Sequence, residues 1–308
     1  LAWKRARHAV TLVTVVETWG SAPRPPGALL AVRDDGVVSG SVSGGCVEDD
    51  LIARTKAALQ GGSALAADGA SSLPNTIAYG VTKEEAARFG LPCGGTLRLV
   101  QEPLHDMGWV EQLLARTAAH ELVARTLDLS TGSVTLASAQ RGQAMQFDGQ
   151  TLITVFGPKW RLLLVGAGQL SQAVAQMAAM LDFEVLICDP REEYAATLDL
   201  AALGARRVAG MPDDVVRELK ADAHTAVVAL SHDPKLDDMA LMEALKSGAF
   251  YVGALGSRRN QAARKQRLAE HFDVTPDELA RLHGPVGLAI DAKTPAEIGN
   301  AALAGGDR

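Results

Sequence analysis

Aromatic side chains are scarce in this chain, at 4% of its 308 residues. That argues against the extended stacking surfaces used to hold single-stranded nucleic acid or sugars. Cysteine is scarcer still, with only Cys46, Cys93 and Cys188. Three cysteines cannot build a disulfide framework, so the expectation is a cytoplasmic protein. A basic excess is also missing. Thirty-six acidic against 30 basic side chains give a net charge of −6, the wrong sign for a general nucleic-acid binder. No apolar run approaches the ~20 residues needed to cross a bilayer. The early apolar stretch at residues 9–16 meets Glu17 and lacks a signal-type cleavage pattern, so no membrane segment is expected. Neither His-x-x-x-His nor Cys-x-x-Cys occurs, and there is no Gly-x-Ser-x-Gly elbow or Walker loop. The sequence therefore offers no recognisable catalytic set.

What is present is length and apolar content. The 308 residues, 47% of them hydrophobic, suffice for two domains with cores of their own at about 100–200 residues each. Residues 1–155 read as a mixed α+β domain. Strands are expected at 9–16, 96–100, 121–129, 133–139 and 151–156, with hairpin turns at Asp35-Gly36 and Asp148-Gly149. Residues 47–60 carry Leu51, Ile52, Thr55, Ala58 and Leu59 at helical spacing, with Gly61 as a stop. The Gly-, Ala- and Ser-rich stretch 61–72 reads as a loop.

Residues 156–308 read differently. Apolar strands alternate with helical patterns, which predicts a Rossmann-like, doubly wound parallel sheet. Gly166-Ala-Gly168-Gln-Leu-Ser171 follows a strand and opens a helix, where a pyrophosphate can approach the backbone. Asp189 ends the next strand, placed to bond a ribose hydroxyl, while Arg191 suits a 2′-phosphate. NAD(P) or another nucleotide is one reading of this turn; a Rossmann turn put to other use is the second. In "YVGALGSRRN", Gly253 and Gly256 expose N–H groups, Ser257 caps a helix, and Arg258 and Arg259 add positive charge. Solvated arginines on a capped helix explain the same residues. Ser231, His232 and Asp233 fall at the carboxyl edge of another strand, where open sheets bind ligands. Thr294-Pro295-Ala296-Glu297 is a structural capping box.

Two loops combine cysteine with glycine. Gly40, Gly44 and Gly45 precede Cys46 at a helix start, which favours thiolate, and Cys93 is followed by Gly94 and Gly95. Glu48, Asp49 and Asp50 suit the helix dipole but oppose a thiolate, unless their side chains point away. Cys188 sits in an apolar strand and reads as core. Small buried cysteines are the ordinary alternative for Cys46 and Cys93.

Several segments together, in order, resemble the xanthine dehydrogenase accessory protein family (XdhC/CoxI). They are "GSAPRPPGALLAV", "SGSVSGGCVED", "PCGGTLRLVQEPL", "LLLVGAGQLSQAVAQMAAMLDFEVLICDPR", "SHDPKLDDMALMEALKSGAFYVGALGSRRN" and "GPVGLAIDAKTPAEI". The resemblance implies a cytoplasmic maturation factor, usually dimeric. It would bind the molybdenum cofactor, protect it while a cysteine desulfurase supplies sulfur, and deliver it to an apo molybdenum hydroxylase of the xanthine dehydrogenase type. It also implies that Cys46 contacts the molybdenum, with Cys93 second. Gly44, Gly45 and Glu48 would shape the first loop, and Ser21, Arg24 and Gly27 would line the same region. Gly166, Gly168 and Asp189 keep the family's glycine turn and acid. Ser231 stands where the family pattern has Thr, and Asp291 where it has Gly. A soft metal centre and a phosphate ask for thiolate or N–H donors at one end and a cation at the other. Cys46 offers the first; Arg24 or the turn at residues 256–259 offers the second. A nicotinamide-dependent oxidoreductase and a nucleotide-sensing regulator of cofactor release remain the competing readings.

Overall fold

The computed structural model describes residues 1–19, 24–45, 47–59, 73–80, 96–140 and 142–305. Ser21, Cys46, Cys93 and the expected loop at 61–72 lie outside the described residues. The chain divides into two compact units, Leu1–Pro158 and Lys159–Arg308.

In the first unit, β1 (Val10–Thr18), β2 (Leu29–Arg33), β3 (Val38–Gly40), β4 (Asn75–Tyr79) and β5 (Leu97–Pro103) form an antiparallel sheet of order β3-β2-β1-β5-β4. Leu30 and Val32 alternate with half-buried neighbours along β2, the period expected of a strand with one covered face. They join Val13, Val15, Leu97 and Leu99 in a core that receives Leu51 from the helix Glu48–Leu59. A second antiparallel sheet contains β6 (Val123–Asp128), β7 (Val134–Ser138), β8 (Gln146–Phe147) and β9 (Thr151–Phe156), ordered β7-β6-β9-β8. Its Leu127 and Leu152 pack with Val16 and Val100 of the first sheet. A buried ion pair, Arg125 with Glu102, also joins the two sheets, and the guanidinium lies 4.1 Å from the Trp109 ring centre. Burial pushes the Glu102 carboxyl up and the Arg125 guanidinium down, each offset by the other's charge. Two of the elements absent from the sequence reading are explained by how little they bury. The helix Gly108–Ala118 buries Leu113 alone, and β4 buries only Tyr79, so neither carries a strong apolar pattern.

The second unit is a six-stranded parallel sheet. Its strands are β10 (Arg161–Val165), β11 (Glu184–Cys188), β12 (Ala205–Arg207), β13 (Thr225–Ala229), β14 (Tyr251–Ala254) and β15 (Leu282–His283). Their order, β12-β11-β10-β13-β14-β15, is the 3-2-1-4-5-6 order of a Rossmann sheet. Leu163 and Val165 face one core and Leu162 and Leu164 the other, so β10 is apolar throughout because helices cover both faces. The helix Pro295–Ala304 starts with the expected capping box between Thr294 and Glu297. Asp291 has φ +56°, a left-handed conformation that glycine adopts freely and aspartate tolerates, so an aspartate fits where the resemblance leads one to expect glycine. No helix among the described residues is long and apolar enough to cross a membrane.

Candidate functional site

The antiparallel order of the first sheet gathers separate segments at one end. Thr18 pairs with Leu97, Leu97 with Tyr79, and Leu30 with Gly40, so three strands end and two begin there. Backbone bonds extend the register: Trp19 N–H donates to the Thr96 carbonyl at 2.8 Å, Gly27 N–H to Val15 at 2.7 Å, and Ser41 N–H to Leu29 at 3.1 Å. Arg24 and Gly27 are exposed at this end. Gly45 and Val47, the neighbours of Cys46, follow from β3, and Thr96 stands three residues after Cys93. Sheet topology thus places Trp19 together with Arg24, Gly27, Gly45 and Thr96, described residues of the segments that the sequence singles out, at one end of the sheet.

The loop at residues 41–45 is organised by Glu48. One oxygen of its carboxylate accepts from Ser41 Oγ at 2.8 Å and from the Val42 and Ser43 N–H groups, each at 2.9 Å. The other accepts from Gly45 N–H at 2.9 Å and from Ser43 Oγ. Ser43 Oγ in turn accepts from Val47 N–H at 3.0 Å, and Ser41 Oγ from Gly44 N–H at 3.0 Å. Gly44 and Gly45, at φ +81° and +129°, supply the left-handed turns that point these donors inward. Burial alone would raise the Glu48 carboxyl, but the donors from Ser43, Ser41 and Val42 hold it at about 2. The acid therefore does not point away from the loop, as its place in the first helical turn suggested. It turns back and fills an anion cradle from within, so those N–H groups are not open to a ligand. Asp50 does leave the loop, accepting from Tyr79 Oη at 2.7 Å and pairing with Arg54. Ser41 and Ser43 were missed in the sequence; a serine five and seven residues before an acid is no motif without the loop's shape.

The carboxyl edge of the Rossmann sheet is the second candidate region. The switch point falls between β10 and β13, where crevices form in such sheets. Gly166 has φ +106°, and a Cβ on it would stand 2.6 Å from Ser231 Cα, so the two loops touch at backbone level. Gly168, by contrast, faces open space: a Cβ there meets nothing within 4 Å. It precedes the helix Gln169–Met180, which no side chain caps. Ser171, fully buried, fills the third position of the turn.

Asp189 is differently engaged from the ribose-binding arrangement. Its buried carboxylate accepts from Ala167 N–H at 2.9 Å, from Arg191 N–H at 3.0 Å, and from Nε and Nη2 along one edge of the Arg191 guanidinium. Burial raises its carboxyl, yet those donors bring it below the ordinary value. Arg191 is itself stacked on Tyr194, 4.2 Å from the ring centre. Gly253 also departs from expectation. It lies inside β14, where a side chain would strike the Tyr251 ring at 2.7 Å, so it packs rather than exposing an N–H. Ser257 caps the helix Arg258–His271 by accepting from Asn260 N–H, and Arg258 is exposed. His232 is exposed at φ +62° after β13.

Beneath these loops lies a buried charge network. Arg264 bonds Asp237 at 3.1 Å, Asp238 at 3.3 Å and the Leu255 carbonyl at 3.0 Å, while Asp237 receives Ser231 Oγ at 2.6 Å. Cys188 is fully buried and its thiol is pushed up to about 12, chiefly by burial. Among the described residues, His8, Asp34 and Asp35 have ligand atoms close enough for a metal. They sit at the opposite end of the first sheet, and Asp34 and Asp35 are already bonded to Ala9 N–H, His8 and Arg33.

Comparison with known proteins follows the same division. The family model for the XdhC Rossmann domain matches residues 162–305, and that for the XdhC and CoxI family matches residues 3–67. The chain is 32% identical to the molybdenum cofactor insertion chaperone PaoD of Escherichia coli (strain K12), across 92% of this chain and 79% of that protein. It is 28% identical to a probable xanthine dehydrogenase subunit of Bacillus subtilis (strain 168), across 95% and 90% of the two chains. Its fold matches a crystal structure described as a xanthine dehydrogenase from Bacillus halodurans, with TM-score 0.76 and 22% identity over 98% of this chain and 92% of that one. A glycine loop, a Rossmann sheet and matches running from end to end lead to one assignment: the chain belongs to the XdhC and CoxI family.

Proposed function

We propose that this protein is a cytoplasmic chaperone that binds the molybdenum cofactor as cargo, protects it during sulfuration by a cysteine desulfurase, and delivers it to an apo molybdenum hydroxylase. The likeness to PaoD, named for cofactor insertion, supports the class of activity. The observation that carries the reading is the convergence of the segments around Arg24, Gly45 and Thr96 at one sheet end, with Glu48 fixing the loop that leads into Cys46. In this reading Cys46 offers a soft sulfur ligand to molybdenum and Cys93 a second. Ser21 and Gly27 line the cargo site, and Arg24 meets the phosphate. The protein acts as a homodimer. Release to the client follows from differential binding, because a carrier that held its cargo too tightly could not pass it on.

The Rossmann edge supports an accessory reading: a nucleotide over Gly168 regulates release, with His232, Gly256, Ser257 and Arg258 around it. Open space at Gly168 and an uncapped helix favour it. The internal use of Asp189 counts against an NAD-type ribose site and hence against a dehydrogenase.

Anaerobic loading tests the main reading. Cofactor released from a purified molybdoenzyme is incubated with wild type and with Cys46→Ser, and bound molybdenum and pterin are quantified after gel filtration. Wild type should retain both and Cys46→Ser less than a tenth as much. Equal content in the two proteins, or none in wild type, overturns the reading.

A further inference from the structure

We infer that Trp19 is a stacking platform for the planar aminopyrimidinone ring of the pterin, an inference that rests on the cargo reading above. Four tryptophans occur in the chain. Three are packed: Trp3 against Arg33, Trp109 against Arg125, and Trp160 against His224 and Phe250. Trp19 is 70% exposed and has no ring or cation partner among the described residues. Exposing an indole forgoes a large burial gain, so in a chain with 4% aromatics an unpacked one at the converging sheet end invites a ligand.

Its backbone position is fixed by the sheet. Trp19 N–H is held by the Thr96 carbonyl at 2.8 Å, continuing the β1–β5 ladder past Thr18 and Leu97. Strand alternation puts Trp19 on the same side as Glu17, whose cross-strand partner is Arg98, bonded to it at 3.0 Å. Arg98 and Trp19 therefore share one face at the end of the sheet, a flat aromatic surface beside a cation. The opposite face is closed by the core that includes Leu97 and Leu99. A flat heterocycle matches that surface: the ring stacks on the indole, while Arg98, paired with Glu17, borders the stacking face and leaves the phosphate to Arg24.

Equilibrium binding of the released cofactor under anaerobic conditions, together with pterin-6-carboxylate as a stable ring probe, tests this. Wild type, Trp19→Phe and Trp19→Ala are compared by gel-filtration retention and by tryptophan-fluorescence quenching, with circular dichroism verifying the fold. Stacking predicts about a tenfold or greater loss of affinity in Trp19→Ala and near-wild-type affinity in Trp19→Phe. It also predicts that Trp19→Phe loses most of the quenching. If Trp19→Ala binds cofactor as well as wild type, the stacking inference falls and the chaperone reading stands. If wild type binds no cofactor, both fall.

Discussion

Replacing Glu48 by Gln should loosen the loop before Cys46 without unfolding the protein. The carboxylate accepts five hydrogen bonds from residues 41–45. An amide keeps one oxygen but turns an NH2 group on the donors that met the other. The fall of the carboxyl from its ordinary 4.5 to about 2 corresponds to about 3 kcal/mol of preference for the charged form. Solvent near the loop surface screens part of that, leaving about 1–2 kcal/mol as the working figure. Local opening should rise accordingly, about 5- to 30-fold, because each 1.4 kcal/mol is a factor of ten. Amide hydrogen exchange of the full chain at pH 7 reads this directly at Val42, Ser43 and Gly45. The sign with pH follows from the depressed value. Stabilisation is complete above about 4.5 and is lost as pH falls through about 2, so the difference between wild type and Glu48→Gln should shrink over that interval. Unchanged exchange at all three amides at pH 7, or a difference that grows on acidification, refutes the clamp.

Other expectations follow from the same geometry. Gly166→Ala should cost more than about 2 kcal/mol, since its Cβ would meet Ser231 Cα at 2.6 Å in a left-handed conformation, whereas Gly168→Ala should leave the melting temperature nearly unchanged; thermal unfolding distinguishes them. Glu102→Gln should destabilise by about 3 kcal/mol by stranding the buried Arg125, and Glu102→Leu with Arg125→Met should recover most of the loss in chemical denaturation. A single-variant cost under about 1 kcal/mol would show that the pair does not join the sheets energetically. Cys188 should resist iodoacetamide at pH 8 in the native protein and react once unfolded, because its thiol is buried and held at about 12; peptide mapping reads the label.

The second unit was legible because its information is local. An apolar strand, a glycine turn and a helix write the Rossmann pattern within about thirty residues, and strands buried on both faces cannot be mistaken for half-exposed ones. The first unit was legible by halves. Its hairpin at Asp35-Gly36 showed itself through turn residues, while β4 and the helix Gly108–Ala118 bury too little to mark the sequence. Site chemistry was hardest. Glu48 and Asp189 were both singled out, yet each spends its charge on its own chain's N–H groups. That outcome depends on left-handed glycines and loop closure that residue spacing does not encode. Trp19 carried no signal either, because exposure is a property of the folded edge and not of the residue.

The buried network of Arg264, Asp237 and Asp238 has a consequence for how this protein tolerates change. It fastens Ser231 and the Leu255 carbonyl, which belong to two different loops of the Rossmann edge, to one guanidinium. Losing any one member strands a charge away from water, so these positions can be altered only in concert. His232, Ser257 and Arg258 stand on the solvent side of the same loops, and a change at any one of them leaves that network intact, at no more than the local cost of the Ser257 cap or the left-handed His232 backbone. The edge is thus divided into a fixed mount and an interchangeable surface. A lineage can retune what that surface meets, one residue at a time, without renegotiating the fold beneath it.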